Sequence, residues 1–138
     1  MTDTPLFAPQ TEWLPPTNFP DLRDRKEISI DLETKDPQLK THGSGSIVGR
    51  GCVTGVAIAV DGWKGYYPIA HEGGGNMDRK MVLKWLQDQM NTDSTKIFHN
   101  AMYDICWLRA TGISVKGRIV DTMIASSLVD ENRFRYDL

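Results

Sequence analysis

The sequence predicts a mixed α/β fold, in which a three-stranded antiparallel meander is extended by β-α units and helices pack on the faces of the sheet. Ile28, Ile30 and Leu32 alternate with polar residues, which is typical of a strand. Two β-rich runs follow, joined by the two-residue hairpin signal Asp61-Gly62. Helical and strand patterns then alternate along the rest of the chain, as β-α units require.

The meander is predicted from a strand at about 27–32 and from the runs GCVTGVAIAV and GWKGYYPIA. A glycine-rich, polar loop, THGSGSIVGRG, separates the first strand from the second. The helix MDRKMVLKWLQDQM comes next, with Asn76 as its predicted N-cap. Its predicted apolar face consists of Met81, Val82, Trp85, Leu86 and Met90.

The β-α units begin with KIFH, a short strand, followed by the helix AMYDICWLRATG, which Gly112 ends. The short strand RIV then leads into the helix DTMIASSLVDE. Asp121 could be mistaken for a functional acid, but its position before a helix favours an N-cap role.

The length of 138 residues suits one domain, which we place at residues 26–138. Residues 1–25 carry five of the seven prolines, so we expect an extended N-terminal arm held through Phe7, Trp13 or Phe19. A net charge of −2 excludes nucleic-acid binding by a strong overall positive field. The N-terminus does not resemble a signal peptide and no apolar run is long enough to span a bilayer, so we expect a cytoplasmic protein without a membrane partner.

Two groups of acidic residues indicate chemistry. Asp31 and Glu33 lie two apart at the end of the first strand and therefore point to the same face. This spacing alone is more often a solvated pair than a metal site. However, Asn100 and Asp104 lie one helical turn apart directly after KIFH, where a helix can bring Asp104 beside Asp31. An all-oxygen set suits two Mg²⁺ or Mn²⁺ ions rather than zinc, and such pairs hydrolyse phosphodiesters.

Four segments carry a family resemblance: IDLET, GYYPIAHE, HNAMYD and the DT of RIVDTM, in this order. They resemble the proofreading 3′-5′ exonuclease domain of family A DNA polymerases, the bacterial and phage replication and repair enzymes. This domain belongs to the DEDD exonucleases and has an RNase H-like fold. The resemblance covers the chain from about Glu27 and implies that the metal ligands and catalytic residues are Asp31, Glu33 and Asp104.

The resemblance further implies that the pocket for the terminal nucleotides is lined by Thr34, Asn100 and Tyr103. It implies two divalent cations, Mg²⁺ or Mn²⁺, as cofactors and the 3′ end of single-stranded DNA as substrate. A polymerase domain in the same, longer chain is the implied partner.

One family motif has no counterpart in this sequence. The third motif, Tyr-xxx-Asp, supplies the fourth ligand from a later helix, and we expect this chain to stop before it, so that the C-terminal part of the domain is missing. Tyr136 cannot replace it, because its partner would follow Leu138. We therefore expect weak metal binding and little cleavage from these residues. Two alternatives stay open: an RNA-trimming exonuclease of the ribonuclease D type, and an inactive nucleic-acid-binding or interaction module.

Overall fold

The computed structural model describes residues 13–138, so Phe7 lies outside the described part of the chain. Its sheet has five strands in the order β3-β2-β1-β4-β5. The strands are β1 (Glu27–Lys35), β2 (Cys52–Val60), β3 (Trp63–Pro68), β4 (Thr95–Phe98) and β5 (Ile119–Asp121). The helices are α1 (Leu39–His42), α2 (Arg79–Met90), α3 (Ala101–Ala110) and α4 (Thr122–Val129). The predicted fold class and order of elements are confirmed, except that the four-residue α1 falls in the predicted loop.

The sheet is mixed because its two halves are connected differently. β2 pairs antiparallel with β1 and β3, whereas β4 pairs parallel with β1 and β5. The β2–β3 hairpin turns at Asp61-Gly62, as predicted, and Gly62 adopts the positive φ of 77° that this turn needs. A hairpin is sufficient for antiparallel neighbours, whereas the parallel strands require the helical crossovers α2 and α3.

The hydrophobic core lies on one face of the sheet. Ile28, Ile30 and Leu32 are buried on β1, and Leu32 pairs with Val56, which in turn pairs with Tyr67. The helices contribute to the same cluster with Val82, Trp85, Leu86 and Met90 from α2 and Trp107 and Leu108 from α3. Because side chains alternate along a strand, the opposite face carries the residues between these, including Asp31 and Glu33.

Two details of α2 differ from the sequence-based predictions. Its N-cap is Asp78, whose side chain accepts a hydrogen bond from the Met81 amide, and not Asn76. The Asn76 side chain is engaged elsewhere, since its Oδ1 accepts from the His71 amide and its Nδ2 donates to the His71 carbonyl. With the helix starting at Arg79, Met81 is 58% exposed and does not belong to the buried face.

The segment before β1 contributes to the core although it contains no helix or strand in residues 13–25. Leu22 is buried, and its amide donates to the side chain of Gln89 on α2 at 2.8 Å. Phe19 stacks on Tyr67, with ring centroids 5.4 Å apart. This part of the predicted arm is therefore held against α2 and β3. Within residues 13–138, no helix is long and apolar enough to cross a membrane.

Candidate active site

The candidate site forms where β1 continues beyond the end of its pairing with β4. That pairing ends at Ser29, whereas β1 runs on to Lys35. The helix α3 begins directly after β4 and brings Asp104 to this part of β1, where the carboxyl group of Asp104 accepts a hydrogen bond from the Leu32 amide. The start of α3 thus lies beside the end of β1, as the spacing of KIFH and HNAMYD predicts.

Asp104 is the buried acid of this group. Only 3% of its surface is exposed, whereas Asp31 and Glu33 are exposed on β1. Burial, followed by the negative charge of Asp31, raises the pKa of Asp104 to about 7, although the hydrogen bond from Leu32 opposes the change. The negative charges of Asp121 and Glu33 act in the same direction as that of Asp31. Burial and three neighbouring carboxylates thus all disfavour the charged form of Asp104.

These acids match a divalent cation in type and charge. Carboxylate oxygens are the preferred ligands of Mg²⁺ and Mn²⁺, and a cation would favour the charged form of Asp104, which burial and the charge of Asp31 disfavour. Asp31, Glu33 and Asp104 are the residues that could hold it. Among residues 13–138, however, no three His, Cys, Asp or Glu side chains are grouped closely enough to form a metal centre as they stand. That these three acids share a cation therefore stays a prediction.

Two of the three predicted nucleotide-pocket residues are in contact. The hydroxyl groups of Thr34 and Tyr103 lie 2.8 Å apart, and the Tyr103 hydroxyl donates to Asp36 at 3.2 Å. Tyr103 stands one position before Asp104 on α3, and Thr34 stands one position after Glu33 on β1. The contact therefore joins the two elements that carry the acids. Asp36 was not predicted as part of this network.

Asn100, the third predicted pocket residue, has an unusual backbone. Its φ of 69° is the only positive value at a non-glycine residue among residues 13–138, and asparagine tolerates this conformation better than most residues. The Asn100 amide donates to Asp121 at 3.0 Å, and the Ala101 amide donates to the same carboxylate at 2.8 Å. Asp121 also caps α4 through the Met123 amide at 3.0 Å, so its predicted N-cap role is confirmed.

Tyr66, for which the sequence predicted no role, lies on the same sheet face as Asp31. The two residues are in line across the sheet, because Asp31 pairs with Ala57 and Ala57 pairs with Tyr66. Both line an open cavity of about 700 Å³ on this face. Burial and the negative charges of Glu33 and Asp31 raise the pKa of Tyr66. Gly55 in mid-strand was the signal that could have revealed this arrangement, since glycine there often marks a close approach.

Comparisons with known proteins identify the family of this chain. Residues 15–137 match the protein family described as 3′-5′ exonuclease. The chain is 34% identical over 144 residues to the DNA-directed DNA polymerase of Pseudomonas phage M6, covering 97% of this chain and 21% of that protein. It is 34% identical over 93 residues to DNA polymerase I of Pseudomonas aeruginosa, covering 62% of this chain and 10% of that one.

Among solved structures, the fold is similar to that of Brucella melitensis NrnC bound to pGG. The TM-score is 0.57 with 22% sequence identity, covering 86% of this chain and 51% of that one. This likeness concerns the fold, which is the RNase H-like fold of such exonucleases. The family match covers nearly all of the described residues, so the chain belongs to the 3′-5′ exonuclease domain family of family A DNA polymerases.

Proposed function

We propose that this chain is the proofreading domain of a DNA polymerase and removes nucleotides from the 3′ end of single-stranded DNA with the help of divalent cations. The observation that carries the proposal is the buried carboxyl group of Asp104, which feels the charges of Asp31 and Glu33 on β1, in a chain of this family. Burial and the charge of Asp31 raise the pKa of this acid on α3 to about 7, and a bound cation would favour its charged form.

In this proposal, each group of residues has a distinct task. Asp31, Glu33 and Asp104 would hold two Mg²⁺ or Mn²⁺ ions, which would supply Lewis acidity for hydrolysis of the terminal phosphodiester bond. Thr34 and Tyr103, joined by their hydroxyl groups, line the pocket for the terminal nucleotide together with Asn100. We propose that the substrate is an unpaired 3′ end.

The partners and location follow from the same proposal. The chain spans about a fifth of the length of the phage polymerase that it resembles. We propose that a polymerase domain in the same polypeptide delivers the 3′ end to this site, in the cytoplasm.

Digestion of a 5′-labelled single-stranded DNA in the presence of Mn²⁺ tests the proposal. The expected product is a ladder that shortens from the 3′ end and disappears when the metal is chelated. Asp31→Ala should abolish the ladder, whereas Asp61→Ala, a matched change in the β2–β3 turn, should leave it intact. If Asp31→Ala and the wild type give the same ladder, the proposed site is wrong.

The two other candidate functions give different results in that assay. An RNA-trimming enzyme would shorten an RNA of the same sequence faster than the DNA, because a pocket for the terminal nucleotide distinguishes the 2′-hydroxyl. An inactive binding module would retain the DNA without shortening it, and Asp31→Ala would not change this. We expect faster cleavage of DNA than of RNA.

A further inference from the structure

The hydroxyl group of Tyr66 occupies space that any side chain at position 55 would block, and residue 55 is a glycine. A Cβ atom added at Gly55 would lie 1.9 Å from the Tyr66 hydroxyl oxygen, so the ring of Tyr66 passes directly over Gly55. Gly55 has a φ outside the positive range, and its lack of a side chain therefore serves this close approach. The Tyr66 hydroxyl consequently stands where the side chain of residue 55 would be.

The residue opposite Gly55 is Glu33. The two are Cα partners in the antiparallel pairing of β1 with β2. Side chains of directly opposed residues on an antiparallel sheet point to the same face, with Cβ atoms about 5 Å apart. The Tyr66 hydroxyl therefore occupies the space that a side chain at position 55 would fill. This space lies across from the side chain of Glu33. The charge of Glu33 accordingly contributes to the raised pKa of Tyr66, after burial.

A second chain of contacts holds the Tyr66 hydroxyl in place. It is hydrogen-bonded to Nε2 of His71. The backbone of His71 is fixed on both sides by Asn76, whose side chain bonds the His71 amide at 2.7 Å and the His71 carbonyl at 2.8 Å. These two bonds use the side chain that the sequence predicts as a helix cap. The loop between β3 and α2 thus holds the Tyr66 hydroxyl through His71.

We propose that Tyr66 is a positioning residue for Glu33, and that His71 orients it. With the His71 proton on Nε2, His71 donates to the Tyr66 oxygen, and the Tyr66 hydroxyl donates to the Glu33 carboxylate. This bond fixes one Glu33 oxygen and directs the other toward the cation. The inference rests on the proposed function, since it assigns Glu33 to the cation site. Outer hydrogen-bond partners of this kind typically change metal affinity by about tenfold or more.

Tyr66→Phe tests the inference, with Tyr67→Phe as its matched control. Both substitutions remove one phenolic hydroxyl, from adjacent residues on opposite faces of β3. The Tyr67 hydroxyl donates to the Asn18 carbonyl at 3.0 Å, on the core face, far from the acids in the sheet register. The measurement is Mn²⁺ affinity, followed by the loss of the free-ion signal in electron paramagnetic resonance, with the thermal midpoint recorded for each protein.

We expect Tyr66→Phe to bind Mn²⁺ about tenfold more weakly than the wild type, with little change in its thermal midpoint. Tyr67→Phe should keep the wild-type affinity, even if its midpoint falls. Gly55→Ala should also weaken Mn²⁺ binding, because its Cβ displaces the Tyr66 hydroxyl. Wild-type affinity in Tyr66→Phe would overturn the inference and leave the proposed function standing. If the wild type shows no Mn²⁺ binding that Asp31→Ala removes, both are overturned.

Discussion

The Asp121 carboxylate accepts a 3.0 Å hydrogen bond from the amide of Asn100, a residue held with a positive φ of 69°. The same carboxylate accepts from Ala101 at 2.8 Å and from Met123 at 3.0 Å. One side chain therefore satisfies amide groups at the beginning of both α3 and α4. Burial would raise the pKa of Asp121, but the backbone hydrogen bonds from Ala101, Asn100 and Met123 outweigh it and lower the pKa.

Asp121→Asn should destabilise the fold by about 1–2 kcal/mol, because an amide has one acceptor oxygen where the carboxylate uses two. Asp78→Asn is the control: Asp78 caps α2 through one oxygen, and asparagine caps as well as aspartate. Urea unfolding of both variants gives the comparison. Equal losses in the two would show that Asp121 is an ordinary cap and does not hold the start of α3.

The Thr34–Tyr103 pair should behave as one unit. Tyr103→Phe removes the hydrogen bonds to Thr34 and Asp36 and should cost about 1 kcal/mol of stability. Thr34→Val should cost less after Tyr103→Phe than in the wild type, because their shared bond is already absent. A double-mutant cycle of unfolding free energies measures this coupling. Strict additivity would mean that the two hydroxyl groups do not interact in solution.

The raised pKa of Asp104 predicts that the metal-free protein becomes less stable as pH rises. Its folded pKa of about 7 lies above the unfolded value of 3.8, so the folded state binds more protons between these two values. The stabilising contribution of the protonated acid is complete below pH 3.8 and is lost as pH rises through about 7. The two pKa values set a ceiling of about 4 kcal/mol on this loss.

Asp104→Asn should therefore stabilise the metal-free protein at pH 8 and change its stability little at pH 4. Asparagine keeps the shape and carries no charge to bury, whereas the aspartate must ionise at pH 8. Asp88→Asn provides the control, because Asp88 is an exposed aspartate on α2 that pairs with Lys84. This substitution should change the free energy of unfolding only slightly at either pH. Urea titrations in a metal chelator at each pH measure these differences. Equal destabilisation by Asp104→Asn at both pH values would contradict the burial of a charged group.

The parts of the site that depend on local spacing were predictable from the sequence. The alternation around Asp31 and Glu33 fixes their common face, and Asp104 follows KIFH within one helical turn of Asn100. Neither depends on which strands become neighbours. The helix boundary of α2 was less predictable, because Asn76 and Asp78 are both competent caps and only the fold engages Asn76 with His71.

The contacts that the sequence did not reveal are those between strands. Tyr66 lies over Gly55, the cross-strand partner of Glu33, only because of the observed register of β1, β2 and β3. A shift of one residue would have turned Tyr66 toward the core and Tyr67 toward the acids. Pairing between Asp121 and the start of α3 likewise depends on the parallel neighbours β4 and β5. Register and strand order are decided by the whole sheet and not by any one segment.

Thermal melting of the wild type and Asp104→Asn at pH 8, with and without Mn²⁺, tests most directly whether Asp31, Glu33 and Asp104 share a cation. Without metal, Asp104→Asn should melt at the higher temperature, because it buries no charge. With Mn²⁺ at about 100 times its dissociation constant, the wild type should gain about 2.7 kcal/mol and Asp104→Asn much less. Mn²⁺ should therefore reduce the difference between the two thermal midpoints or reverse their order. An equal upward shift in both proteins, or none in the wild type, would contradict this prediction.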